Sequence, residues 1–129
     1  MIVGIDTFLL YSSDAKRLSQ FYTKTVGLDF QFAGEMGDNG DEIYMAHWKK
    51  GSDLAILDHS NIKGKNKQPE RYMVNFEVEN LEKEVARLKK AKVKLIADIY
   101  HVEEYGYIAT FEDIDGNYFQ LVQVRAPKK

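Results

Sequence analysis

What most constrains this chain is a repeat. Thr7 stands seven residues before Asp14 and Met73 seven before Asn80, so both pairs share one offset of 66 residues. In each copy an apolar run leads into a residue type that caps helices, and a helical pattern follows. In the first copy residues 2–11 read as a strand. Leu18, Phe21, Tyr22 and Val26 then mark one face of a helix over about 14–26, which Gly27 can close in the left-handed conformation. Strand-like stretches follow at 28–33, 42–48 and 53–58, separated by the turn-rich 34–41 and by Lys49-Lys50-Gly51-Ser52.

The second copy opens with the clearest strand of all. Tyr72, Val74, Phe76 and Val78 alternate with Met73, Asn75 and Glu77, the period of two that gives a strand one greasy face and one mixed face. Asn80 is the cap, and Leu81, Val85, Leu88 and Ala91 mark a second helix. Strands follow at 93–99, 107–112 and 117–124, the last two joined by Asp113-Ile114-Asp115-Gly116, a tight-hairpin signal. The fold class is therefore α+β, built as two βαβββ modules, about 1–60 and about 71–126. Two copies are too few for a solenoid, so each module is expected to cover an apolar sheet face by packing with its sibling. The polar segment of about 60–70 links them, and its Lys63, Lys65 and Lys67 read as a solvated loop or as an anion-attracting lid.

Composition narrows the classes of function. The 129 residues make a chain of ordinary single-domain length, and 20 acidic against 18 basic residues leave a net charge of −2. Such a balance provides no general field for phosphate backbones, so no nucleic-acid partner is expected. The absence of cysteine excludes a disulfide framework, a thiolate nucleophile and a cysteine-held metal, and points to a reducing compartment. No apolar run approaches the length of about 18 residues that a membrane span needs, and the first residues lack the basic region of a secretion signal. A cytoplasmic protein without a membrane partner is the expectation.

Two stretches carry a family resemblance over essentially the whole chain: Phe8-Leu9-Leu10-Tyr11-Ser12-Ser13-Asp14 running into Phe21-Tyr22 and Val26-Gly27-Leu28, and the run from Tyr107 through Asp113-Ile114-Asp115-Gly116-Asn117 to Phe119-Gln120-Leu121. With them the chain resembles the vicinal oxygen chelate superfamily, which includes glyoxalase I, bleomycin- and fosfomycin-resistance proteins and extradiol dioxygenases. Ile114 stands where that family's closing turn usually has proline. The resemblance implies curved mixed sheets around a cavity, helices on the outer faces, and modules that pair within one chain or across a homodimer. Strand parity then puts Thr7, Leu9 and Tyr11, and Met73, Asn75 and Glu77, on the cavity side.

Metal-dependent members of that family place His or Glu at four points. Carried over, these points fall on Thr7, Met73, Gln120 and, by aligning 53–58 on 117–122, Ile56. A hydroxyl, an amide, a thioether and an isoleucine do not supply the charge of such a site, so neither a metal nor another cofactor is expected. Thr7, His47, Trp48, Met73, Asn75 and Gln120 are the candidate ligand-binding residues. His47 reads either as an ordinary surface histidine, as a polar group of the cavity, or as part of a relocated metal site. His59 and His101 fall at or beyond strand ends. Trp48 is expected near a cavity mouth, beside the Lys49-Lys50-Gly51 turn, and Glu77 is the one inward carboxylate that could act as a base. The functional expectation is a metal-free protein that holds a small hydrophobic or aromatic molecule. Two alternatives stay open: a lyase, isomerase or dioxygenase with moved ligands, and a structural or regulatory dimer with a filled cavity.

Overall fold

The structure, a computed structural model, describes residues 1–36 and 40–124. The chain divides into two compact units, Met1–Gly64 and the residues from Lys65 onward. In the first, β1 (Thr7–Ser12) is followed by α1 (Ala15–Phe21), a π-helical turn (Tyr22–Val26), β2 (Phe32–Met36), β3 (Asp41–Ala46) and β4 (Asp53–Asp58). The second repeats the order with β5 (Val74–Glu77), α2 (Leu81–Lys90), β6 (Lys94–Val102), β7 (Gly106–Glu112) and β8 (Tyr118–Val124). Each unit forms its own four-stranded mixed sheet, β1-β4-β3-β2 and β5-β8-β7-β6, with one parallel pair, β1 with β4 and β5 with β8.

Both helices start as the sequence requires. The Asp14 carboxylate accepts the Arg17 N–H at 3.1 Å, and the Asn80 side chain accepts the Lys83 N–H at 3.2 Å. A second tie comes from the last strand of each unit. Asp58 accepts the N–H groups of Ala15 (2.8 Å) and Glu42 (2.9 Å), and Gln123 accepts that of Leu81 (2.8 Å). The bonds from Ala15 and Leu81 satisfy donors that a helix start leaves without intrahelical partners. They also show that the closing strands correspond at an offset of 65, Asp58 with Gln123.

The helix-covered faces form the two cores. Leu54, Ile56, Ala46, Leu18 and Tyr22 are buried in the first unit, and Phe119, Leu121, Phe111, Leu81 and Leu88 in the second. Phe119 stacks on Phe111 at 5.9 Å and meets the edge of Phe76 at 6.1 Å. The opposite, open faces are exposed only in part: Leu9 is 48% exposed and Tyr11 40%, and Asn75 and Glu77 are exposed, but Ala55 and Ile43 on the first of these faces and Thr110, Ile108 and Val122 on the second are buried. On the covered faces Phe8, Leu10, Val74 and Phe76 are half-buried.

Several boundaries differ from the sequence expectation. Ile2, Val3 and Ile5 are exposed and precede β1, because its partner β4 begins only at Asp53, opposite Thr7. The last bond of that ladder runs from the Asp53 N–H to the Asp6 carbonyl. The stretch 28–33 is mostly non-strand, since pairing with β3 sets β2 at Phe32–Met36; the middle of the expected 34–41 turn, 37–39, lies outside the described residues. β3 ends at Ala46, so His47 and Trp48 follow the strand rather than belong to it. β6 runs on to Val102 and takes in His101, whose ring meets Tyr107 at 4.8 Å. The linker is partly tied down: the Asn66 N–H bonds the Asp115 carbonyl, and its side chain donates to Asn117.

Candidate functional site

Strand register assigns each candidate to a face. In the first unit the open face carries Thr7, Leu9 and Tyr11 from β1, Asp53, Ala55 and Leu57 from β4, and Ile43 and Met45 from β3. Phe32 of β2 joins them and is 53% exposed. This surface is apolar except at one corner. There Thr7 lies opposite Asp53 in the ladder, and its hydroxyl donates to Asp6 at 2.7 Å. The His47 Nδ1 meets the Asp53 carboxylate at 2.6 Å, and the His47 backbone N–H donates to Gln31 at 2.8 Å. Asp53 therefore draws Thr7 and His47 into one cluster, in which the carboxylate orients the imidazole through Nδ1. Trp48 follows directly and is 40% exposed.

The second unit brings Asn75 and Gln120 together. They are partners in the β5–β8 register, and Thr110 is the partner of Gln120 on β7. The Gln120 amide donates to the Thr110 hydroxyl at 2.9 Å, and Thr110 is only 4% exposed. Met73 sits one residue before β5 and is half-buried. Glu77, exposed on the same face, pairs in register with Val122. Thr110 and Asp53 were missed in the sequence. Their roles depend on which residue faces which across a turn, although Thr110 lies at the even positions of β7 that share the face of Gln120.

A separate acidic cleft of about 330 Å³ lies at the α1 end of the first sheet, lined by Ser13, Asp14, Asp41, Glu42, Asp58, His59 and Ser60. Tyr44 donates its hydroxyl to Glu42 at 2.7 Å. Burial, that hydrogen bond and the nearby charges of Glu42, Asp58 and Asp14 push the Tyr44 hydroxyl up to about 12. The carboxylates here serve the fold, since Asp14 and Asp58 accept backbone N–H groups.

The family model of the Glyoxalase/Bleomycin resistance protein/Dioxygenase superfamily matches residues 4–121. The chain belongs to that superfamily. A relative in Bacillus subtilis (strain 168), the uncharacterized protein YetH, is 26% identical over 121 residues, 94% of this chain and 98% of its own. Among solved structures, TnmS3, an antibiotic binding protein from Streptomyces sp. CB03234, has a TM-score of 0.73 at 24% identity, covering 96% of this chain and 98% of TnmS3. The trypanothione-dependent glyoxalase I of Leishmania major gives 0.73 at 17% identity, covering 95% and 87%. At these identities the two structures establish the fold.

Membership raises the question of the superfamily's metal. The register corrects one of the four positions. Asn75 faces Gln120 in the second unit, and its counterpart Leu9 faces Ala55, not Ile56, in the first. Ile56 is fully buried on the helix-covered face. The alignment had slipped by one residue, which moves a side chain to the opposite face. With Thr7, Ala55, Met73 and Gln120 at these positions the residues do not fit a divalent ion, for none offers an imidazole or a carboxylate. Among the described residues no group of three or more His, Asp or Glu is placed to hold one.

Proposed function

We propose that the protein is a metal-free, homodimeric binding protein of this superfamily that holds a small hydrophobic or aromatic molecule on its open sheet faces, in the cytoplasm. One observation carries the reading: the open face of the first sheet leaves Leu9, Tyr11 and Phe32 at least two-fifths exposed around a single polar corner. Contiguous exposed apolar surface with a few hydrogen-bonding groups is the usual make-up of a ligand or partner site. The description of TnmS3 as an antibiotic binding protein is in keeping with it. In this reading Thr7, His47 and Trp48 are the ligand-binding residues of the first unit and Met73, Asn75 and Gln120 those of the second, and a second copy contributes to enclosing the ligand.

A second reading, a lyase, isomerase or dioxygenase with relocated metal ligands, draws on the His47–Asp53 pair, because metal-bound histidines are commonly oriented by a carboxylate on their other nitrogen. A fluorescence titration tests the first reading. Trp48 is the one tryptophan of the chain, so apolar aromatic compounds should shift its emission with little dependence on salt, and Trp48→Phe should lose the signal while keeping the fold. A screen in which inorganic phosphates bind and apolar aromatics do not would contradict it and favour Lys63, Lys65 and Lys67.

A further inference from the structure

The open face of the second sheet carries a line of neutral hydrogen-bonding side chains across three strands: Asn75 on β5, Gln120 on β8 and Thr110 on β7. The bond from Gln120 Nε2 to Thr110 Oγ1, 2.9 Å long and partly buried, fixes which way the amide turns. With the nitrogen committed to Thr110, the carbonyl Oε1 is the end of the Gln120 side chain left to accept from a ligand. Asn75, one strand away at about 4.8 Å, offers an acceptor and two donors. Tyr118, about 7 Å along β8 on the same face, is half-buried and sits where its ring can meet a flat ligand beside Gln120, whereas Val122 on the other side is buried. Anionic ligands are disfavoured, since Glu77 and Glu112 share this face and Lys94 is engaged with Glu112 at 3.8 Å.

We infer that the Asn75–Gln120–Thr110 line recognises the polar edge of a neutral planar lactam or imide, with Gln120 Oε1 accepting the ring N–H and Asn75 donating to the adjacent carbonyl. Thr110 is a positioning residue that acts by holding the Gln120 amide. The inference rests on the binding function proposed above and names the class of ligand for one part of the same surface.

Phthalimide and N-methylphthalimide have the same flat body and differ in the one N–H. Titrated against the whole protein by NMR, phthalimide should bind about tenfold tighter, the scale of one well-made hydrogen bond, and should shift the side-chain amide resonances of Gln120 and Asn75. Gln120→Leu and Thr110→Val should each reduce that preference while N-methylphthalimide binding persists. Asn75→Ala, at an exposed position where folding is undisturbed, should weaken both probes by a similar factor, since each keeps the carbonyl that Asn75 donates to, and leave the preference for phthalimide in place. Equal binding of the two probes by the wild-type protein, or shifts confined to residues away from this line, would overturn the assignment and leave the broader binding function standing. Failure of both probes, together with failure of every apolar aromatic compound to shift Trp48, would overturn both.

Discussion

Tyr44 projects from β3 onto the covered face of its sheet, where it is half-buried and its hydroxyl donates to Glu42. With its hydroxyl pushed up to about 12, Tyr44 keeps a proton that the unfolded chain gives up near pH 10. Its stabilising effect is therefore complete below about pH 10 and is lost as pH rises towards about 12. Urea unfolding midpoints at about pH 9 and about pH 11.5 should fall more steeply in the wild-type protein than in Tyr44→Phe. Equal slopes would remove Tyr44 from the account. Gly106 makes a different point. Its φ is +151°, and a methyl group there would overlap the Gln123 carbonyl oxygen on the neighbouring strand. Gly106→Ala should lower the thermal midpoint by several degrees, on the order of 1–3 kcal/mol, measured by circular dichroism.

At the scale of elements, parity and caps were legible and register was not. The alternation from Tyr72 to Val78 identified β5 and its two faces, though the strand is only Val74–Glu77 and Tyr72 precedes it, 72% exposed, while Asp14 and Asn80 marked both helix starts, because these signals are local. The length of β1 was overestimated, since Ile2 to Asp6 look like strand while their pairing depends on where β4 begins. The same dependence hid the His47–Asp53 pair and the Gln120–Thr110 bond, and it moved the counterpart of Gln120 from Ile56 to Ala55. The closing strands correspond at an offset of 65 residues and the opening elements at 66, a one-residue difference invisible until the ladders are seen. Energetics at this scale follow from the covered faces. Phe119→Ala should cost about 3–5 kcal/mol in chemical denaturation, half-buried Phe76→Ala less, and exposed Asn75→Ala under about 0.5 kcal/mol. Gln123→Ala, which strips the Leu81 N–H of its acceptor, should cost about 1 kcal/mol. An Asn75→Ala cost as large as that of Phe119→Ala would mean that the faces have been assigned the wrong way round.

For the whole molecule, the repeated unit is the scaffold on which the proposed metal-free function rests. Each βαβββ unit closes its core on the helix side through Leu54, Ile56, Phe119 and Leu121, so the exposed residues of the opposite faces, such as Leu9, Tyr11, Phe32 and Asn75, can change at little cost to the fold. These faces carry Leu9, Tyr11 and Phe32 in one unit and Asn75, Gln120 and Thr110 in the other, beside the carboxylates of Asp53, Glu77 and Glu112. In the proposed function, Thr7, Ala55, Met73 and Gln120 at the four points suit hydrogen bonds and apolar contact in place of a metal. The most direct test is native mass spectrometry with elemental analysis of protein purified from cells without chelator. The account predicts a dimer that releases a small neutral organic molecule on denaturation and carries well under one equivalent of nickel, zinc, iron or manganese. About one metal ion per chain, lost on substitution of His47, would contradict it.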